Sequence, residues 1–332
     1  MKVLVIGAGV IGSFNAARLK DAGNDVTLLA RGRRLADLRE HGVELEDVRT
    51  GRRTTTRVPL VDRIEPANVY DLAIVIVRRN QIASVLPMLA ATRIASVLFL
   101  GNNAAGPREM IDALGRDRVL IGIVNAGGYR EGNVVHYLSW KRLSLQLSEL
   151  DERRTPRTDA IVALFRSAGL RARAAHDIDA KLRTHAAGLP AIAGAVYRAG
   201  GDIRRAAHMP EIVTLFVRAQ REALHALRMD GTPLRPAVTK TFEWLPVGIL
   251  SFAWRRFLDS KLAVVGGERH ILAAPDEMKE LADEFRALFR RTNVPSPASD
   301  VLFAEVDAWL ARVPRAVEDR SPPHRPVLPA IT

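Results

Sequence analysis

The chain has no cysteine in its 332 residues. That excludes a disulfide framework, a thiolate metal site and a thiol nucleophile, and it makes a cytoplasmic compartment the default expectation. Lysine is also scarce, supplying seven of the 49 basic residues, and the arginines are spread along the chain. A net charge of +12 would attract a polyanion. Without a basic stripe or a nucleic-acid motif, however, no nucleic-acid partner is expected. No apolar run approaches the roughly 20 residues of a membrane span, so no membrane partner is expected either. The opening MKVLVIGAG lacks a leader pattern and reads as the direct start of a fold. His208, His225 and His270 have no spacing with acids that suggests a metal. What remains is 48% hydrophobic, enough for two cores of ordinary size.

From Met1 to about Leu150 the runs VLVIG, DVTLL, LAIVIV, SVLFLG and VLIGIV read as strands, continuously apolar as parallel strands covered on both faces tend to be. Helical patterns lie between them. This alternation predicts an α/β domain with a doubly wound parallel sheet over residues 1–155. GNVVHYLSW and RLSLQLSEL alternate with period two and read as a hairpin at the end of that sheet. After Asp151 long amphipathic patterns predict an all-helical domain over 156–312. The last twenty residues, 313–332, carry five prolines and no apolar periodicity, the pattern of an extended tail.

Gly7-Ala8-Gly9-Val10-Ile11-Gly12 leaves the first strand and enters a helix. In that setting the first glycine makes the tight turn, the second admits a pyrophosphate, and the third lets helix and strand approach. The second strand ends in Ala30-Arg31-Gly32-Arg33-Arg34. An NAD-binding chain usually carries an acid there for the ribose 2′-hydroxyl. Arginines would instead meet a 2′-phosphate, Arg31 together with Arg33 or Arg34, which predicts NADP(H).

With GAGVIGS, ARGRRLADLREHGVEL, DLAIVIVRRNQ, VLFLGNNAAGPREM, GYREGNVVH, DIDAKL, DEMKELADEF and PSPASDVLF on the page, the sequence resembles the ketopantoate reductase family. The resemblance implies a Rossmann domain joined to a helical domain of the 6-phosphogluconate dehydrogenase C-terminal type. It also implies an NADPH-linked interconversion of a carbonyl and a hydroxyl. By position it carries cofactor contacts onto Arg78, onto Asn103 (with Asn102 as the alternative register) and onto Gly128, and it assigns Glu277 to positioning cofactor or substrate. The family's general-acid lysine falls on His185, and its two following asparagines fall on Leu189 and Ala193. The family's substrate serine falls on Val265 or, with a gap, Ser260.

Histidine, with an ordinary pKa of about 6.5, can exchange a proton near neutrality. The loss of two amide partners argues against ketopantoate as substrate. The expectation is therefore an NADP(H)-dependent oxidoreductase acting on another small carbonyl or alcohol. A non-catalytic NADP(H)-binding sensor and a divergent ketopantoate reductase are the alternatives. Lys181, four residues before His185, is expected on the same helical face as a second cation that lowers the histidine's pKa. His185 could equally be a packed core histidine bonded to a backbone carbonyl. Pro190 should interrupt the helix beyond it. The wide apolar helix faces also suit a homodimer.

Overall fold

Short β-branched runs fill the first hundred residues, and in the computed structural model each is a strand. Residues 1–65, 69–124, 126–139 and 144–312 are described; the proline-rich segment 313–332 and the Trp140–Leu143 junction lie outside them. The strands are β1 Lys2–Ile6, β2 Asp25–Leu29, β3 Val43–Asp47, β4 Arg53–Thr56, β5 Leu60–Val61 and β6 Leu72–Val75. They continue with β7 Ser96–Leu100, β8 Val119–Ile123, β9 Ala126–Glu131, β10 Val134–Ser139, β11 Leu145–Glu149 and β12 Ala172–Ala174.

The main sheet has the order β12-β11-β8-β7-β6-β1-β2-β5. Its centre is the parallel array that the apolar runs predict, with β1 between β2 and β6. Val3, Leu4 and Val5 on β1 are fully buried, which explains why the run is apolar without alternation. The strand order reverses at β1 and β6, so the carboxyl ends of these two strands form the crevice where open α/β sheets hold ligands.

Two features differ from the sequence reading. GNVVHYLSW and RLSLQLSEL do not form a hairpin with each other. β10 pairs with β9 and lies parallel to β3, in a separate sheet of order β4-β3-β10-β9. β11 joins the main sheet antiparallel to β8. The helix Val10–Asp21 packs against β1 and β2 and against β3, β9 and β10, with Phe14 tilted on Tyr137 at 4.6 Å between ring centres. A second apolar surface on that helix is what the second sheet covers.

The sheet unit also runs past residue 155. It comprises Met1–Gly101 and Pro107–Ile178, while Asn102–Gly106 and the chain from Asp179 form a helical unit. The helix Pro156–Ser167 buries Ile161 and Phe165 in the core of the sheet unit, and β12 extends the sheet parallel to β11. An amphipathic period reveals a buried face but not which core receives it.

In the helical unit the core forms around Leu189–Arg198, Pro210–Met229, Pro275–Thr292 and Pro297–Arg312. The first of these is rich in alanine and glycine because it runs close to the last. A Cβ on Gly194 would lie 2.1 Å from the Leu302 carbonyl oxygen, so larger residues would force the two backbones apart.

Candidate active site

Within the sheet unit, the glycine loop lies at the carboxyl end of β1. Gly7 has φ +108°, and a Cβ there would stand 2.2 Å from the Ile76 carbonyl oxygen beyond β6. A Cβ on Gly12 would stand 1.7 Å from the Gly7 carbonyl oxygen. These two glycines are therefore required by the protein's own packing. Gly9 differs: a Cβ there meets nothing within 4 Å, although the residue caps the helix Val10–Asp21. Open space beside the first N–H groups of a twelve-residue helix fits a bound pyrophosphate. Ala8, Val10 and Ile11 complete the loop, and the Ser13 hydroxyl donates to the Ala8 carbonyl at 3.1 Å.

Of the arginines after β2, Arg34 contacts this loop. Its Nε donates to the Ala8 carbonyl at 3.2 Å and its Nη2 to the Ser13 hydroxyl at 3.3 Å. Arg31 is exposed. It caps the helix Gly32–His41 and donates to the Asp62 carbonyl at 3.4 Å. Arg78 stands just after β6, where it begins the short turn of helix Arg79–Gln81. The arginines at the ends of β2 and β6 are thus placed around the loop after β1. Gly128 lies opposite Tyr137 on β10, and a Cβ there would meet the His136 carbonyl oxygen at 2.1 Å. Strand packing alone accounts for that glycine.

A second polar group lies within the helical unit. Asn103 is buried, and its Oδ1 accepts the Gly106 N–H at 2.8 Å, so its side chain closes the turn. Asn102 faces elsewhere: its Nδ2 donates to Glu277 Oε1 at 3.1 Å. The alternative register, Asn102, is therefore the one that reaches Glu277. Glu277 is 2% exposed, and its Oε2 stands 3.2 Å from His270 Nε2. The same helix fixes the Asn102–Gly106 loop a second time, through Glu284, which accepts the N–H groups of Ala104 and Ala105 at 3.1 and 3.2 Å.

His185 ends the helix Ile178–Ala186, and Pro190 lies in the first turn of the next helix, Leu189–Arg198. The interruption expected from the proline is present. It places Leu189 and Ala193 on a different helix from His185, and Ala193 is fully buried. The His185 side chain is solvent-exposed, so it is not a packed core histidine. Protein nevertheless surrounds it closely. Burial first, and the charge of His270 second, hold its pKa below the ordinary imidazole value.

The like charge acting on His185 comes from His270 rather than from Lys181, which stands half-buried one turn earlier on the same helix. Sequence spacing passes over His270 because its partner carboxylate, seven residues on, lies across the helix break at Ala274. Ser260 caps the turn Lys261–Ala263, and Val265 is buried in the π-helical turn that follows. Among the described residues no cluster of acids and histidines could hold a metal, and no helix is long and apolar enough to cross a membrane.

Residues 3–149 match the family described as ketopantoate reductase PanE/ApbA. Over these residues the chain is similar to that family. A 2-dehydropantoate 2-reductase from Listeria monocytogenes is 26% identical over 159 residues, 46% of this chain and 52% of its own, so the match spans about half of that relative. The solved 2-dehydropantoate 2-reductase from Geobacter metallireducens superposes with TM-score 0.74 at 18% identity, covering 93% of this chain and 100% of its own. A D-mandelate dehydrogenase solved with NADH and anilino(oxo)acetate gives TM-score 0.75 at 16% identity, covering 93% and 97%. At these identities the structural likeness is one of fold, an N-terminal Rossmann sheet followed by helices.

Proposed function

We propose that the protein is an NADP(H)-dependent oxidoreductase that interconverts a small carbonyl and its alcohol. The observation that carries the reading is the open space at Gly9 in the loop whose Ala8 carbonyl accepts from Arg34. Gly7 to Gly12 would hold the pyrophosphate, Arg34 with Arg31 a 2′-phosphate, and Arg78 the remaining cofactor edge. Bound there, the nicotinamide supplies or takes the hydride.

His185 is the acid–base group. With its pKa held low, the imidazole is neutral near pH 7 and suited to accept the hydroxyl proton of an alcohol. Glu277 accepts from Asn102 at Oε1 and has Oε2 3.2 Å from His270 Nε2, and acts by positioning. Leu189 and Ala193 offer no amide to a substrate carboxylate, which supports a more apolar substrate than ketopantoate.

The test is a screen of purified protein: NADPH with ketones, aldehydes and keto acids including ketopantoate, and NADP⁺ with alcohols. Turnover on an apolar alcohol or ketone with little on ketopantoate is expected. Fast ketopantoate reduction would return the protein to the family's namesake reaction. The loss of polar side chains at Leu189 and Ala193 also favours a second reading, an NADP(H)-binding sensor without chemistry; tight NADPH binding with no turnover across the panel would support it.

A further inference from the structure

We propose that the helix Val247–Leu258, with the turn before it, is the face through which two copies of this chain pair about a two-fold axis. The proposal concerns the helical unit alone and goes beyond the reading of the reaction.

The first observation is a mismatch between sequence and burial. Eight of the twelve residues of VGILSFAWRRFL are apolar, and a helix apolar on every side is ordinarily enclosed. Here only Leu250 and Leu258 are buried. Trp254, one turn after Leu250, leans on Phe216 at 4.9 Å between ring centres and on Phe257 at 5.5 Å. Ile249, Phe252, Ala253 and Arg256 follow the helical period on the opposite side, and all four are exposed.

Trp244 is 69% exposed, Phe252 68% and Ile249 55%. Among the described residues ten large hydrophobic side chains are exposed, and six of them, Val238, Trp244, Ile249, Phe252, Phe257 and Leu262, lie within 25 consecutive residues. These include every phenylalanine and tryptophan of the ten. Single exposed hydrophobics are ordinary on a protein surface, whereas a concentration of this kind marks a contact.

Area and charge point to a second copy as the occupant. At these exposures the six side chains leave roughly 600 Å² of apolar surface open, since a whole aromatic side chain offers about 200 Å². Each partner in a standard interface contributes about 800 Å², somewhat more than half of it apolar. The patch is therefore large enough for one side of a stable pair.

Charge is divided between the two ends of the helix. Glu243 and Trp244 precede its start, with Glu243 3.3 Å from Arg228, and its last turn carries Arg255 and Arg256, both exposed. A two-fold axis beside Phe252 and Ala253 makes the contact isologous and sets the two helices antiparallel. Each Arg256 then lies along Ile249 of the second copy and reaches toward its Trp244 ring and Glu243 carboxylate. Gly248 and Ala253 are the small residues of the exposed side, and a Cβ on Gly248 would meet nothing within 4 Å. That space lets a second helix come close. An anionic membrane also receives tryptophan, phenylalanine and arginine together, but it has no ridge to fill the space at Gly248.

The test is sedimentation velocity of the full-length protein at concentrations up to about 100 µM, above the micromolar end of affinities for interfaces of this size. A dimer is expected for the wild type. Phe252→Glu and Ile249→Glu change side chains that are open in the single copy, so both should keep the wild-type circular dichroism spectrum and weaken the dimer about thirtyfold or more. Val301→Glu, exposed on the helix Pro297–Arg312, should leave it intact. Because the chain has no cysteine, Ala253→Cys should be joined copy to copy by a short thiol crosslinker, and Val301→Cys should not.

A monomer throughout that range, or a dimer that Phe252→Glu leaves undiminished, would overturn the proposal. So would a monomer that sediments with phosphatidylglycerol vesicles but not with phosphatidylcholine ones, and loses that binding in Phe252→Glu; the face would then belong to a lipid surface. None of these readouts uses a substrate, so they stand apart from the activity screen.

Discussion

Arg34 lies across the glycine loop, its Nε 3.2 Å from the Ala8 carbonyl oxygen and its Nη2 3.3 Å from the Ser13 hydroxyl. A cation so placed adds positive charge where the helix Val10–Asp21 already presents its N-terminus. Replacing it with alanine should weaken NADPH binding about tenfold or more and leave NADH binding much less affected, a difference of about 1.4 kcal/mol. Fluorescence titrations with both nucleotides check this. Equal loss for the two would remove Arg34 as the reader of the 2′-phosphate and leave Arg31 in that role.

The three loop glycines should separate on substitution. Gly12→Ala places a methyl 1.7 Å from a backbone oxygen and should destabilise the protein by roughly 1–3 kcal/mol. Gly9→Ala meets no protein atom within 4 Å; its melting temperature should stay near that of the wild type while NADPH affinity falls. If Gly9→Ala bound NADPH normally, the pyrophosphate would have to lie elsewhere.

That loop was legible in the residues because its requirements are local: a strand, a tight turn and a helix start within twelve positions. The second sheet was not. β3 finds its parallel partner β10 about ninety residues later, and no period in either segment names the other. The Asn102–Glu277 bond, spanning 175 positions, was hidden for the same reason. The resemblance named His185 and Glu277, but the 3.2 Å approach of His270 to Glu277 exists only after two helices meet at Ala274. Gly194 makes a similar point, since its lack of a side chain is explained only by a carbonyl on a helix more than a hundred residues further along.

Glu149 and Arg157 anchor the start of the helix Pro156–Ser167. The Glu149 side chain is 7% exposed; it accepts from Arg157 Nε at 2.7 Å and from the Thr155 hydroxyl at 2.6 Å. Burial raises the Glu149 carboxyl, but the hydrogen bonds and charge of Arg157, with the bond from Thr155, outweigh it and set its pKa below the ordinary value. Arg157→Ala strands that carboxylate and should cost about 3 kcal/mol at neutral pH, measured by urea unfolding. Because the folded pKa is depressed, the stabilisation is present above the unfolded value of about 4.3 and is lost as pH falls through the folded one. The gap between wild type and variant should therefore narrow in acid. A gap that stayed constant would assign the loss to packing of the arginine stem instead.

His185 makes the last prediction, and its sign can be worked out from its depressed pKa. Above about pH 6.5 the imidazole is neutral whether the chain is folded or not, so it contributes no pH dependence. Below that value the unfolded chain takes up a proton that the folded chain refuses, and stability falls with pH until the folded pKa is reached. His185→Gln removes that uptake. Between about pH 7.5 and about pH 5.5 the wild type should lose more unfolding free energy than His185→Gln does, and alcohol oxidation by the wild type should persist below pH 6.5 because the base remains unprotonated. If both proteins lost stability equally, the histidine would be solvated in the ordinary way; it would then be a good proton donor at pH 6, and carbonyl reduction would become the favoured direction.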